Sequence, residues 1–335
     1  MDKPRKWRWG VNRWIILAVV VAGFFMARIY PPVLPHIQLP AEPLTKEPLF
    51  TLPVIGPFFF TNTMLAIILV DIILIAIALL VRRAATSGDL VPKGLSGAIE
   101  AVIEAIYNLT ESTAGKWTST IFPFFATITL LVLIANWMEL IPGVDSIGIL
   151  EKAPQGEQGY PVHQIAPGIG TIVKSSIKSP ASTNDSGENM ILVPFVRVVS
   201  TDLNFTVALA LISVTMVQVI GVRARGLSYF TKYINVKTLF SKPFFGAIDF
   251  AVGLLEIVSE ISKILSFSFR LFGNIFAGSV LLFVIGYLVP IFAQSIFFLL
   301  EFGVGLIQAI VFGMLTMVFM AQATMGHGDN QPEYT

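Results

Sequence analysis

Cysteine is absent from the 335 residues, so no disulfide, thiolate metal site or cysteine nucleophile is available. Histidine is nearly absent. His36, His163 and His327 all lie in polar or Pro/Gly-rich segments, which argues against a His-centred metal site or a serine–histidine relay inside the apolar body. Charge is scarce: 13% of residues are Asp, Glu, Lys or Arg, against roughly 25% in an ordinary soluble domain. The formal net charge of +1 provides no bulk basic field to recruit nucleic acid. No G-x-x-x-x-G-K-[ST] loop is present to hold nucleotide phosphates, and no cofactor is expected. What remains is 55% hydrophobic, so any chemistry must come from carboxylates, amides, Lys or Arg.

Crossing a hydrocarbon core of about 30 Å takes about 20 helical residues. Apolar stretches of that order occur near 14–30, 61–81, 121–141 and 204–222, followed by two longer ones near 246–289 and 291–325. The pattern predicts an all-α polytopic membrane protein of about six transmembrane helices, with membrane lipid as its surroundings. No strand alternation or internal repeat competes with it. Lys3, Arg5, Lys6 and Arg8 precede Trp14–Met26, but no small-x-small cleavage site follows, so this first stretch reads as a retained anchor.

Lys and Arg placement sets the expected orientation, because cytoplasmic loops hold the positive excess. Residues 1–13, Arg82 with Arg83, and the run Arg223, Arg225, Lys232, Lys237 and Lys242 mark cytoplasmic sides. The Pro-rich linker 31–60 and a long loop after Pro142 then lie outside, and both termini face the cytoplasm. Four regions follow: 1–60, an anchor helix and outer linker; 61–142, two membrane helices joined by an amphipathic helix; 143–198, an outer insertion; and 199–335, long helices with a cytoplasmic C-terminus. The insertion is rich in Gly, Pro, Ser and Asn and reads as flexible or clamped by a partner. Over Leu95–Trp117, Ile99, Val102, Ile103, Ile106 and Leu109 share one side, and Glu100, Glu104, Asn108 and Glu111 another. That is an amphipathic helix suited to the membrane surface.

The fifth stretch carries the strongest functional signal. Asp249 to Val289 is 41 residues, about 60 Å as continuous helix and twice the hydrocarbon thickness. It must tilt or bend, and the sixth stretch, joined to it through Val289–Pro290, must accompany it as an antiparallel hairpin. At 100° per residue, Asp249, Glu256, Glu260, Lys263, Arg270 and Asn274 fall within an arc of about 80°. The sixth stretch repeats the device with Gln294, Glu301, Gln308 and Gln322 at multiples of seven. A charged side chain at mid-membrane costs at least about 2.5–3.5 kcal/mol, so such a stripe lines water or is paired. Glu260 with Lys263 at helical spacing can form a structural ion pair. Arg270 cannot do the same, because its i±3 and i±4 positions hold Phe267, Ser266, Gly273 and Asn274. Gly273, Ala277, Gly278 and Ser279 beside it leave room for another helix, so its countercharge is expected from another chain.

These residues match a family. Ser266-Phe267-Ser268-Phe269-Arg270-Leu271-Phe272-Gly273-Asn274 resembles the signature of subunit a of rotary F-type ATP synthases. So do Phe122-Pro123-Phe124-Phe125 with Ala135-Asn136 and Leu140-Ile141-Pro142-Gly143, then Asp202-Leu203-Asn204-Phe205-Thr206, and Ile307-Gln308-Ala309. The resemblance covers about 60–142 and 198–325. It implies that Arg270 takes the place of the essential stator arginine, and that Asn274, Gln308 and Glu256 match polar positions lining two aqueous half-channels. Glu260, Lys263, Asp202, Ser266 and Ser279 complete the candidate proton path. Some members carry Glu nine residues after the arginine and His seven before the glutamine, where this chain has Ser279 and Glu301. The carboxylate has changed helices, and the outer proton relay is expected on Glu301.

The implied partners are a ring of c-type subunits bearing mid-membrane carboxyls, peripheral-stalk b-type subunits and the other ATP synthase subunits, in a bacterial cytoplasmic (inner) membrane. The chain itself would be a non-catalytic subunit. Two other classes compete. An ion channel or secondary transporter would enclose its charged path within the chain. An intramembrane hydrolase would need a base beside Ser266 or Ser279, and no membrane-embedded His supplies one.

Overall fold

The computed structural model describes residues 9–29, 38–45, 47–53, 56–86, 94–141, 143–152, 163–166, 168–171, 190–233, 243–288 and 292–325. The basic residues Lys3, Arg5, Lys6, Arg8, Lys237 and Lys242, and the Val289–Pro290 joint, fall outside these residues, as does the side chain of Asp249. Seven α-helices are described: α1 Trp9–Ile29, α2 Asn62–Thr86, α3 Leu95–Ala114, α4 Thr118–Trp137, α5 Leu203–Arg225, α6 Pro243–Leu288 and α7 Phe292–Thr324. Among the described residues, five stretches are long and apolar enough to cross a membrane: Asn62–Arg83, Gly97–Leu140, Leu203–Arg225, Phe250–Leu288 and Ala293–Thr324. The protein is an all-α polytopic membrane protein. In α1 the corresponding apolar stretch, Arg13–Phe25, is shorter.

The termini of these helices follow from local chemistry. Asp202 is the N-cap of α5 and accepts a 2.9 Å bond from Asn204 N, while Arg223 and Arg225 sit in the last turn, where cations favour the carbonyl end. α3 spans the stretch read as amphipathic, and Glu100, Glu104, Asn108 and Glu111 are all exposed. It stops at Gly115, whose φ of 52° admits the turn and whose N–H returns to Glu111 O. α6 opens on Pro243, where a missing N–H costs nothing. Its 46 residues extend roughly 68 Å at 1.5 Å per residue, and the 33 residues of α7 roughly 48 Å. Neither fits upright in a hydrocarbon core of about 30 Å.

The chain divides into two compact units. One comprises Met1–Leu65, Trp137–Arg197 and Phe276–Val304, and the other Ala66–Asn136, Val198–Ile275 and Gly305–Thr335. The second is a helical bundle whose core joins Ile121 and Phe125 of α4, Val217 and Ile220 of α5, and Met317, Met320 and Ala321 of α7. Ile106 and Leu109 of α3 pack against it. Asn136 ties three segments of this unit together. Its amide donates to Gly305 O at 3.2 Å and accepts from Ser200 Oγ at 2.6 Å, both buried.

The first unit holds the strands. β1 (Phe50–Leu52) and β2 (Gly56–Phe58) form an antiparallel pair with Phe50 stacked on Phe58. β3 (Ile147–Lys152), β4 (His163–Ala166), β5 (Ile169–Thr171) and β6 (Met190–Pro194) form an antiparallel sheet in the order β4-β5-β3-β6. These strands lie within 143–198, the insertion whose composition reads as flexible or clamped by a partner. The strands run three to six residues and are separated by Gly- and Pro-rich stretches, so no period-two alternation builds up in sequence. Side chains pin the linker to this unit: Arg197 donates to the carbonyls of Gln38 and Pro40, and Asn62 bonds Glu42 and Pro194.

Candidate functional site

Arg270 lies on the outer face of α6. Ser266, Phe269, Arg270, Gly273, Asn274 and Ala277, spaced i, i+3, i+4, i+7, i+8 and i+11, are all exposed. Phe267, Leu271 and Ile275 are buried on the opposite face, with the Phe267 ring against Phe312 and Phe319 of α7. A Cβ added at Gly273 would meet open space. The Arg270 guanidinium makes a 3.3 Å hydrogen bond to Ser266 Oγ, and among the described residues no carboxylate lies within ion-pairing distance of it.

The expected pair of Glu260 and Lys263 is present. Lys263 Nζ lies 3.0 Å from Glu260 Oε1 and 4.7 Å above the Phe319 ring. Tyr233 OH, which can donate only one proton, lies 2.8 Å from Gln218 Oε1 of α5 and 3.2 Å from Glu260 Oε1. Tyr233 and Gln218 went unnoticed in the sequence because a Tyr and a Gln carry no periodic signal. Glu256 is half-buried one turn before Glu260, and Gln308 is half-buried on α7. Asp202, expected on the path, is the N-cap of α5.

The first unit contains a second cluster. Glu139, Ser279 and Glu301 are 7%, 8% and 6% exposed and lie together. The Ser279 hydroxyl bonds the Glu139 carboxylate, and Glu301 is the next charged neighbour of that carboxylate. Among the described residues, Glu139 Oε2 and Glu301 Oε1 meet no hydrogen-bond partner, so each can accept a proton. Helix packing makes the cluster. Gln294 lies over Gly286 and Glu301 over Gly278, so two glycines eight apart on α6 receive two polar side chains seven apart on α7. In this unit the stretches of α6 and α7 therefore run antiparallel, as expected of the hairpin. Trp137 holds the Glu139 segment to α7 by donating to Phe302 O at 3.2 Å and stacking on the Phe302 ring at 4.4 Å.

Glu139 was missed in the sequence. It sits at the end of an apolar run, where a carboxylate reads as a membrane-edge residue, although it lies inside the quoted motif region between Asn136 and Leu140. The cost of burying it was the available signal.

Outside the apolar helices, Asp145 is pushed up to about 6 from its ordinary value of 3.8, chiefly by burial and against the pull of Arg197.

Comparison with known proteins gives one answer. The profile of the family described as ATP synthase A chain matches residues 63–321. ATP synthase subunit a 1 of Photobacterium profundum is 32% identical over 258 residues, 75% of this chain and 80% of that protein. ATP synthase subunit a of Acidothermus cellulolyticus is 24% identical over 281 residues, 82% of this chain and 81% of its own length. The chloroplastic subunit a of Oedogonium cardiacum is 29% identical over 242 residues, 70% of this chain and 73% of the relative.

Proposed function

This chain belongs to the ATP synthase A chain family, and from that premise we propose that it is the proton-translocating stator subunit of an F-type ATP synthase. Two aqueous half-channels and the fixed Arg270 exchange protons with a rotating ring of carboxylate-bearing c-type subunits. The other partners are peripheral-stalk b-type subunits, in a bacterial inner membrane with both termini cytoplasmic.

The observation that carries this reading is the position of Arg270: exposed, with no carboxylate of the described residues in reach, on a face it shares with Ser266, Gly273, Asn274 and Ala277. A transporter would turn its charge inward, toward a site of its own. A permanently charged guanidinium facing outward is suited to a carboxylate carried by something that moves past.

The physics gives the order of events. Facing lipid, a ring carboxyl must be neutral, because ionisation there is strongly penalised. Beside Arg270 its ionised form is stabilised by a charge that cannot titrate away. Each ring subunit therefore loses its proton to one half-channel, passes Arg270 ionised and is reprotonated from the other. The same guanidinium repels a proton moving directly between the channels. Glu301, Glu139 and Ser279 form the outer relay. Glu256, Glu260 and Lys263 with Tyr233 line the approach from the cytoplasm, and Asn274 and Gln308 complete the path.

The test is proton flux in vesicles carrying the intact complex. Arg270→Ala is expected to abolish ATP-driven pumping while the subunits still assemble. Normal coupled pumping by that variant would overturn the reading.

A further inference from the structure

α2 is apolar from Met64 to Val81 apart from one residue, Asp71. Asn62 to Arg83 extends about 32 Å, and Asp71 stands about 14 Å along it, near the middle, by helix rise. Ala66 and Val70 on one side of α2 are fully buried. On the other side, Ile68, Asp71, Ile72, Ile75, Ala76 and Leu79 are all exposed and follow the spacing i, i+3, i+4, i+7, i+8 and i+11 of a single helix face. Among the described residues, Asp71 makes no hydrogen bond or ion pair. Ile and Leu alone would satisfy lipid, so the carboxylate at the centre of this face is unexplained by lipid contact.

We infer that this face is a docking surface for a membrane-spanning helix of another subunit, one that presents a hydrogen-bond donor or a cation to Asp71. Charge complementarity selects that occupant. The anchor helix α1 offers no side chain able to donate a hydrogen bond anywhere from Ile15 to Met26. A second copy of α2 would bring another Asp71, and two carboxylates repel. A different helix carrying Lys, Arg, Asn, Gln or Ser at that depth satisfies Asp71, and its apolar residues cover Ile68, Ile72 and Ile75. The inference rests on the chain being one subunit of a complex but not on how Arg270 works.

Because the sequence has no cysteine, an introduced Cys is the single thiol of this chain, and only adducts containing this chain are read. Ile75→Cys in the intact complex, in native membranes, is labelled with a benzophenone maleimide, illuminated and analysed by mass spectrometry. The expected adduct is one other subunit, joined through its membrane-spanning helix. Asp71→Leu, which keeps α2 apolar and inserted, is expected to lower the adduct yield at least tenfold. Asp71→Asn, which keeps a hydrogen-bonding group, should retain most of it. Immunoblotting confirms equal amounts of chain in each membrane. Adducts with lipid only, with α1 or with a second copy would overturn the inference, as would an unchanged yield for Asp71→Leu. Proton flux in the same membranes reports separately on Arg270, so a failure there leaves the cross-link result standing.

Discussion

The carboxylate of Glu301 occupies the space where a side chain at Gly278 would stand. A helix-interior glycine costs about 1 kcal/mol relative to alanine, so Gly278→Ala would ordinarily stabilise α6. Here the methyl overlaps the carboxylate, the far end of a flexible side chain, which must swing aside. The expected outcome is a fall in proton flux, since Glu301 is displaced from its place beside Glu139. A stabilised variant with normal flux would show that Glu301 does not depend on this contact.

Glu301→Gln keeps the size and hydrogen bonding of the side chain but cannot titrate. Proton flux in reconstituted vesicles should fall sharply while the complex still assembles. Glu139→Gln, in the same cluster, is expected to give a similar loss. Introducing Ser279→Glu into the Glu301→Gln background should restore part of the flux, because position 279 already faces Glu139. If Glu301 only bonds a neighbouring helix, Glu301→Gln will be nearly silent across pH 6–9.

Arg270→Lys preserves the charge but replaces a planar fork by a compact ammonium, which loses its proton when desolvated. Coupled pumping is therefore expected to be absent or nearly so. Full pumping by the lysine variant would mean that any cation at position 270 suffices, and that the permanence of the guanidinium charge is irrelevant.

Asp145 gives a pH-dependent signature away from the membrane helices. Its folded value of about 6 lies above the ordinary 3.8, so the native state binds the proton more tightly than the unfolded chain. The stability it contributes is fully present below about pH 4 and is lost as pH rises through about 6. Hydrogen exchange of the Ile147–Ile149 amides should show that slope, and Asp145→Asn should flatten it. Arg197→Gln, which removes the opposing positive charge, is expected to steepen it and to release the 38–40 linker. An unchanged slope in Asp145→Asn would assign it to another group.

The membrane helices were legible because their physics is local. A run of about 20 apolar residues must be helical in lipid, and the observed α2, α4, α5, α6 and α7 follow the expected stretches. The polar stripe through Glu256, Lys263, Arg270 and Asn274 was legible for the same reason, since helical period alone puts these residues on one face. Sequence could also establish that Arg270 has no carboxylate within a turn of its own helix. It could not establish which way that face turns. Tertiary packing decided this by burying Phe267 and Leu271 and leaving Arg270, Gly273 and Asn274 outside. Nor could it bring Glu139 to Ser279 and Glu301, because these residues are 140 and 162 positions away along the chain. Their meeting depends on how the α6–α7 register sets Glu301 over Gly278, and on Trp137 docking against Phe302. The sheet in the 143–198 insertion was decided the same way: its strands are too short to announce themselves and form only by pairing with one another.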